Sequence, residues 1–220
     1  MSFIKPPCTE GSGTAVSQQR NVDAFNSIAL DVEATVTVAQ GQSQSLEVTA
    51  QENLLPIITT SVSDEVLTIA ETECFSTTVG VTAHATISAW KGITVASSGQ
   101  VNGSGISFST ADITVTASGG VNLQDISAGT ANVRLSSSGN IQLAGSATTL
   151  NVNLSASGDV TADECESETC TVTVSGSGDV RVYVTGNLNA TISGSGNIYY
   201  RGNPTIEQHI TGSGKLIPIE

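Results

Sequence analysis

The sequence predicts an all-β chain wound as a parallel, right-handed β-solenoid, and three observations carry that prediction. The first is a repeat. A small residue, Ser, Gly, a polar residue and an aliphatic one recur as Ser98-Gly99-Gln100-Val101, Ser118-Gly119-Gly120-Val121 and Ser138-Gly139-Asn140-Ile141. The phrase returns as Ser157-Gly158-Asp159-Val160, Ser177-Gly178-Asp179-Val180, Ser195-Gly196-Asn197-Ile198 and Ser213-Gly214-Lys215-Leu216. Its glycines stand 20, 20, 19, 20, 18 and 18 residues apart, the period of a repeat protein. The second observation is an alternation. Eight, six and four residues before successive glycines come Ala111, Ile113 and Val115, then Ala131, Val133 and Leu135, then Leu150, Val152 and Leu154. Cys170, Val172 and Val174 follow, then Leu188, Ala190 and Ile192. The residues between are Thr, Ser, Asn, Asp or Arg, so one face of each strand is apolar. The third is what the repeat leaves out: helix formers are scarce, and the period falls short of the ~30 residues of a strand–helix–strand unit.

Each repeat is therefore one turn of a coil, with the Ser-Gly step as its corner. Glycine there is expected to supply the positive φ of a sharp bend. The small residues two before it (Ser97, Ala117, Ser137, Ala156, Gly176, Gly194 and Gly212) leave room inside. Right-handedness follows from the preference of parallel crossovers. With rungs about 4.8 Å apart, six steps make a rod section roughly 29 Å long.

Along the chain, residues 1–20 read as an N-terminal tail that becomes ordered near Gly11-Ser12-Gly13, 21–90 as a β capping region or early coils, and 91–217 as the regular repeats. The middle segment alternates through Ile28, Leu30 and Val32, then Val36 and Val38, then Leu46 and Val48. It breaks at Asn53-Leu54-Leu55-Pro56 and lacks the repeated phrase. A cap is required because a bare solenoid end offers unpaired strand edges. Trp90, the single tryptophan, is expected to pack in the core or cap rather than to serve as a ligand platform.

Four cysteines, Cys8, Cys74, Cys165 and Cys170, are expected to form two disulfides. Cys165 and Cys170 flank a short acidic loop, Glu166-Ser167-Glu168-Thr169, and both fall on inward positions, so a bond closing one corner is expected. Cys8 and Cys74 then pair by default. Zinc is not expected, since no Cys-x-x-Cys or nearby His accompanies them.

The net charge of −13 argues against nucleic acid and anionic membranes as partners. No apolar run approaches the ~20 residues of a membrane span, and no secretory signal is visible in the chain.

Arg20-Asn21-Val22-Asp23-Ala24-Phe25-Asn26-Ser27-Ile28 resembles the opening phrase of the auto-transporter adhesin, head GIN domain family. Gln51-Glu52-Asn53-Leu54-Leu55, the strand Val66-Leu67-Thr68-Ile69 and the repeated Ser-Gly phrase are similar to it as well. The resemblance spans roughly residues 11–217. It implies an exported bacterial envelope protein, often carrying a signal or lipoprotein leader, with a β-helical fold and no catalytic residues to transfer. The Trp90-Lys91 step departs from the family pattern, which has a proline-containing start to the strand there.

Solenoids also host polysaccharide lyases and hydrolases, which is the alternative function. Asp159 and Asp179 occupy equivalent corners of adjacent rungs, roughly 5 Å apart, near a retaining glycosidase spacing. Their column continues as Gln100, Gly120, Asn140, Asn197 and Lys215, so a ladder of corner side chains is the expected role. Arg134, Arg181 and Arg201 are scattered over the repeats, His84 and His209 have no evident partner, and the acidic loop lacks calcium-loop spacing. No catalytic residue, metal or cofactor is expected. An ice-binding Thr-x-Thr face is broken by Arg134, Asn153 and His209. The expected function is thus a non-enzymatic, adhesin-type binding or structural module of the envelope, with a glycan or surface protein as partner. The candidate contact row is Thr116, Ser136, Ser155, Ser175, Ser193 and Thr211, and self-association is a further expectation.

Overall fold

A computed structural model describes residues 7–220, and every regular element in it is a strand. The N-terminal part holds β1 (Thr9–Glu10), β2 (Ala15–Gln19), β3 (Ser27–Leu30), β4 (Thr35–Gln40) and β5 (Ser45–Gln51). It continues with β6 (Ile58–Ser63), β7 (Val66–Glu71), β8 (Phe75–Ser76) and β9 (Thr82–Ile87). The coils follow as β10 (Gly92–Val95), β11 (Gln100–Ser104), β12 (Ser107–Val115), β13 (Gly120–Leu135) and β14 (Asn140–Leu154). Then come β15 (Val160–Val174), β16 (Val180–Ile192), β17 (Ile198–Arg201), β18 (Thr205–Ile210) and β19 (Leu216–Pro218).

The repeat alternation translates into the expected parallel stack. Ala111, Ala131, Leu150, Cys170 and Leu188 pair rung upon rung, as do Ile113, Val133, Val152, Val172 and Ala190. All of these residues are buried, and so are Val121, Ile141, Val160, Val180 and Ile198 beyond the corner. Each inward side chain thus rests on its equivalents above and below, and no single coil could shield its own aliphatic set.

The variable repeat length is absorbed away from the corner. Between β13 and β14 the register slips between Leu123 and Ile126, where the repeat shortens to 19. Between β15 and β16, where it shortens to 18, the slips lie at Ala162/Glu166 and Ser167/Thr169. The run from Cys170–Leu188 to Val174–Ile192 stays in register. Bulges of this kind bend a strand and take up extra residues without disturbing the core columns on either side.

The corner glycines follow a different rule from the one expected. The positive-φ glycines are Gly13, Gly80, Gly105, Gly145 and Gly202, and no Ser-Gly corner is among them. Their need is space. A Cβ on Gly139 would overlap the Gly119 carbonyl oxygen, one on Gly158 that of Gly139, and one on Gly178 that of Gly158. Backbone stacks directly on backbone at this corner. The small residue two before the glycine helps bind the bend: Ser97 Oγ donates to Val32 O at 2.8 Å, and Gly99 N donates to Ser97 Oγ at 3.1 Å.

The first rung is out of chain order. β3 pairs parallel with β10 on one side and with β7 on the other, while β4 lies parallel between β11 and β9. Residues 27–40 are therefore sandwiched between two later segments. Outside them the direction reverses: β6 runs antiparallel to β7, β5 to β9, and β2 to β5. The outermost strand β2 is short and mostly exposed, with the sequence AVSQQ, a polar edge of the kind that discourages further pairing.

Residues 9–19, expected as part of a tail, contribute two strands to this end of the molecule; residues 1–6 lie outside the described region. β1 pairs with β8, and Cys8 is bonded to Cys74 beside that pair. The bridge closes a separation of 66 residues, so replacing both cysteines by Ser is expected to cost roughly 2–4 kcal/mol. Urea unfolding of that variant against the parent measures it. Trp90 packs as expected: it is buried, stands edge-on to Phe25 with ring centroids 6.1 Å apart, and donates Nε1–H to Ala39 O at 2.8 Å. The Trp90-Lys91 step keeps the ladder intact, because Lys91 N donates to Asn26 O and Lys91 O accepts from Asp112 N, both at 2.8 Å.

Candidate binding surface

The six hydroxyl residues of the contact row, Thr116, Ser136, Ser155, Ser175, Ser193 and Thr211, are all exposed. They form one unbroken column. Each donates its main-chain N–H to the residue closing the strand of the rung before: Ser136 to Val115 O, Ser155 to Leu135 O, Ser175 to Leu154 O, Ser193 to Val174 O and Thr211 to Ile192 O, at 2.9–3.1 Å. Their backbones are thereby fixed, and the hydroxyls are spaced by the rung rise of about 4.8 Å.

Across the corner runs a second column, whose oxygens are engaged. Asn140 Oδ1 accepts from Asp159 N at 3.3 Å, Asp159 Oδ1 from Asp179 N at 2.8 Å, and Asp179 Oδ1 from Asn197 N at 2.7 Å. Asn197 Oδ1 then accepts from Lys215 N at 3.1 Å. Asn and Asp serve equally here because both offer an acceptor oxygen at the same distance from the backbone. A third ladder joins Asn151 to Asn132 and Asn132 to Asp112, at 2.9 and 2.8 Å.

The structure also gathers what looked scattered. Arg181 on β16 lies beside Tyr199 on β17, and Tyr183 beside Arg201. Each guanidinium covers the neighbouring ring, at 4.5 Å and 4.6 Å to the centroid. The chain's three tyrosines, Tyr183, Tyr199 and Tyr200, all sit on these two rungs. The lone salt bridge among the described residues joins Lys91 to Glu65, so neither arginine holds a carboxylate. Sequence reading missed this cluster although the repeat carries the signal: Arg181 and Tyr199 each stand three residues after the corner glycines Gly178 and Gly196, and Tyr183 and Arg201 five. Arg134 stands apart, beside Asn132, Asn153 and Thr173. His84 is exposed on β9 opposite Glu47, and His209 is exposed on β18.

The expected Cys165–Cys170 bond is absent: both are free, buried thiols. Glu166–Thr169 is not a loop. It runs as strand, with Glu166 in register with Ser146 and Thr169 with Thr149. Ser167, which lies between the two cysteines in sequence, is fully buried and donates Oγ–H to Tyr183 O on the next rung at 2.8 Å. Burial pushes the Cys165 thiol from 9.0 up to about 11. It pushes Cys170 to about 12, with Cys165 adding to the rise and a hydrogen bond to Ser167 opposing it.

An open groove of about 760 Å³ lies at the first corner, its lining including Asp31, Glu33, Glu71, Ser97, Ser98 and Gln100. Among the described residues no group of three or more His, Cys, Asp or Glu is placed to hold a metal ion. No described helix is long and apolar enough to cross a membrane.

Solved structures share this architecture. The chain is similar to an adhesin from Bacteroides fragilis, described as putative, with a TM-score of 0.86 and 21% identity over 96% of this chain and 99% of that one. A putative adhesin from Parabacteroides distasonis gives a TM-score of 0.78 and 22% identity over 97% and 100% of the two chains. A putative lipid binding protein from the same species gives 0.76 and 22% over the same shares. At these identities the likeness establishes the fold. No curated protein matches the sequence. The family described as putative auto-transporter adhesin, head GIN domain, matches residues 24–204. With its sequence matched over most of its length and its solenoid shared with those structures, the chain belongs to the auto-transporter adhesin, head GIN domain family.

Proposed function

We propose that the chain is a non-enzymatic module of an exported or surface protein that binds an extended glycan along the Thr116–Thr211 hydroxyl column. The observation that carries this reading is the column itself: six exposed hydroxyls on a backbone fixed rung by rung. A rigid row with a constant rise meets a polymer whose own hydroxyls repeat, and its ordering entropy is already met by the fold. Two further features support it. The corner carboxylates Asp159 and Asp179 accept main-chain N–H groups, a ladder role rather than that of an acid–base pair. The Cys8–Cys74 disulfide suits an oxidising compartment.

A screen of immobilised glycans with the purified chain tests the reading. Binding is expected for the parent. It is expected to fall at least about tenfold, or ~1.4 kcal/mol, when Ser136 and Ser175 are both changed to Lys, with the thermal midpoint unchanged. No glycan bound, or binding indifferent to the double variant, overturns it. So does turnover of an acidic polysaccharide that is lost on Asp159→Ala or Asp179→Ala.

A further inference from the structure

The two ends of the solenoid are finished differently. At one end antiparallel strands close the stack, with polar β2 outermost. At the other, β18 pairs with β16 along one edge, from Asn187↔Thr205 to Ile192↔Ile210. No strand of the described residues pairs with its other edge. Register places Ile206, Gln208 and Ile210 on the inward columns, over the buried Leu188, Ala190 and Ile192. Ile206 and Ile210 are nevertheless 38% and 40% exposed, two of the three large hydrophobics so exposed among the described residues. Thr211 donates its N–H to Ile192. By the alternation of a strand, the main-chain groups of Ile206, Gln208 and Ile210 therefore face the open edge.

We propose that this edge is occupied by a second copy of the chain, β18 pairing antiparallel with its counterpart about a twofold axis through Gln208. A twofold contact must be self-complementary, and the sequence Thr205-Ile206-Glu207-Gln208-His209-Ile210 is so in this register. Ile206 lies opposite Ile210 of the second copy, and Glu207 lies opposite its His209. The outward-facing main-chain groups of Ile206, Gln208 and Ile210 then fall on the hydrogen-bonded pairs of an antiparallel ladder. Sliding by one residue sets the inward Ile206 against the outward His209 and turns core positions to solvent. Sliding the centre to Glu207 sets Ile210 against Pro204, which has no N–H to give. The two aliphatic cores become continuous through the junction, as successive coils do within one chain. One rung end is a small contact beside the roughly 800 Å² per partner of a standard interface, so the dimer is reversible and depends on concentration. The contact reaches the hydroxyl column only at its last member, Thr211, which follows β18. Ser136 and Ser175, which test the glycan reading, lie outside it, so the two readings stand or fall separately.

Sedimentation velocity over a concentration series up to ~1 mM, with the whole chain, is the test. The parent is expected to pass from monomer to dimer. Gln208→Pro removes an N–H that faces the open edge and leaves the β16 ladder intact. It is expected to weaken dimerisation at least about tenfold with unchanged circular dichroism. Glu207→Lys is expected to weaken it as well, and adding His209→Glu to that variant to restore it by placing opposite charges across the pair. A parent that stays monomeric throughout, a dimer that survives Gln208→Pro, or a charge exchange that fails to rescue overturns the proposal.

Discussion

Gly178→Ala is expected to cost about 3 kcal/mol or more, beyond the usual effect of one added methyl, because the clash is with backbone. The added Cβ would overlap the Gly158 carbonyl oxygen of the rung before, and no rotamer change moves a main-chain oxygen. Two rungs would have to separate, lengthening the hydrogen bonds Ser177 N and Gly178 N make to Ala156 O, now 3.0 and 3.1 Å. For a chain of this size the thermal midpoint should drop by roughly 6–12 °C. Ser177→Ala, at the exposed neighbouring position, serves as control and should stay within about 0.5 kcal/mol of the parent. A Gly178→Ala midpoint equal to the control's would mean that the corner tolerates a Cβ and that backbone stacking is not what the glycine of the recurring phrase serves.

The buried thiols should make the protein fragile in alkali. Native Cys165 and Cys170 hold their protons up to about pH 11 and about pH 12, whereas the unfolded chain releases them near 9.0. Between those values the unfolded state binds fewer protons than the native one, so stability is complete below about pH 9 and declines as pH rises through 11 and 12. At the top of that window the loss is on the order of several kcal/mol, an appreciable share of the 5–15 kcal/mol that holds a domain folded. Urea midpoints measured from pH 8 to 11 should fall, and the Cys165→Ala/Cys170→Val double variant should fall much less. At pH 8 a thiol reagent should leave both residues of the native protein untouched and label them only after unfolding, slowing by the factor that global opening imposes. Prompt labelling without denaturant, or an unreduced mass lacking both thiols, would refute the buried, unpaired arrangement.

Much of this molecule is decided by local pattern. The Ser-Gly phrase and the period-2 alternation fix the strand faces and the rung length. Because each rung lies on one nearly identical to itself, they also fix which residues stack on which. The inward columns from Ala111 to Ile192 and the exposed hydroxyl column from Thr116 to Thr211 follow from that translation alone, and so does the ladder through Asp159 and Asp179. A family resemblance in the opening phrase and the strand at Val66 extends the same reading to the first half.

Tertiary structure decided the rest, wherever the outcome depends on contacts between segments that carry no repeat. β3 lies between β7 and β10, and β4 between β9 and β11, an order that no sequence period announces. The corner glycines are required by a carbonyl of the preceding rung, which is a stacking distance and not a dihedral preference. Cys165 and Cys170 remain unpaired in a segment where Glu166–Thr169 continues the rung as strand, whereas sequence spacing alone favoured a loop that a disulfide could close. Each arginine comes to cover the neighbouring tyrosine ring because β17 lies on β16 in an unbroken 18-residue register, from Val180–Ile198 to Tyr183–Arg201. Sequence sets what each strand buries; the register between rungs sets which exposed side chains become neighbours.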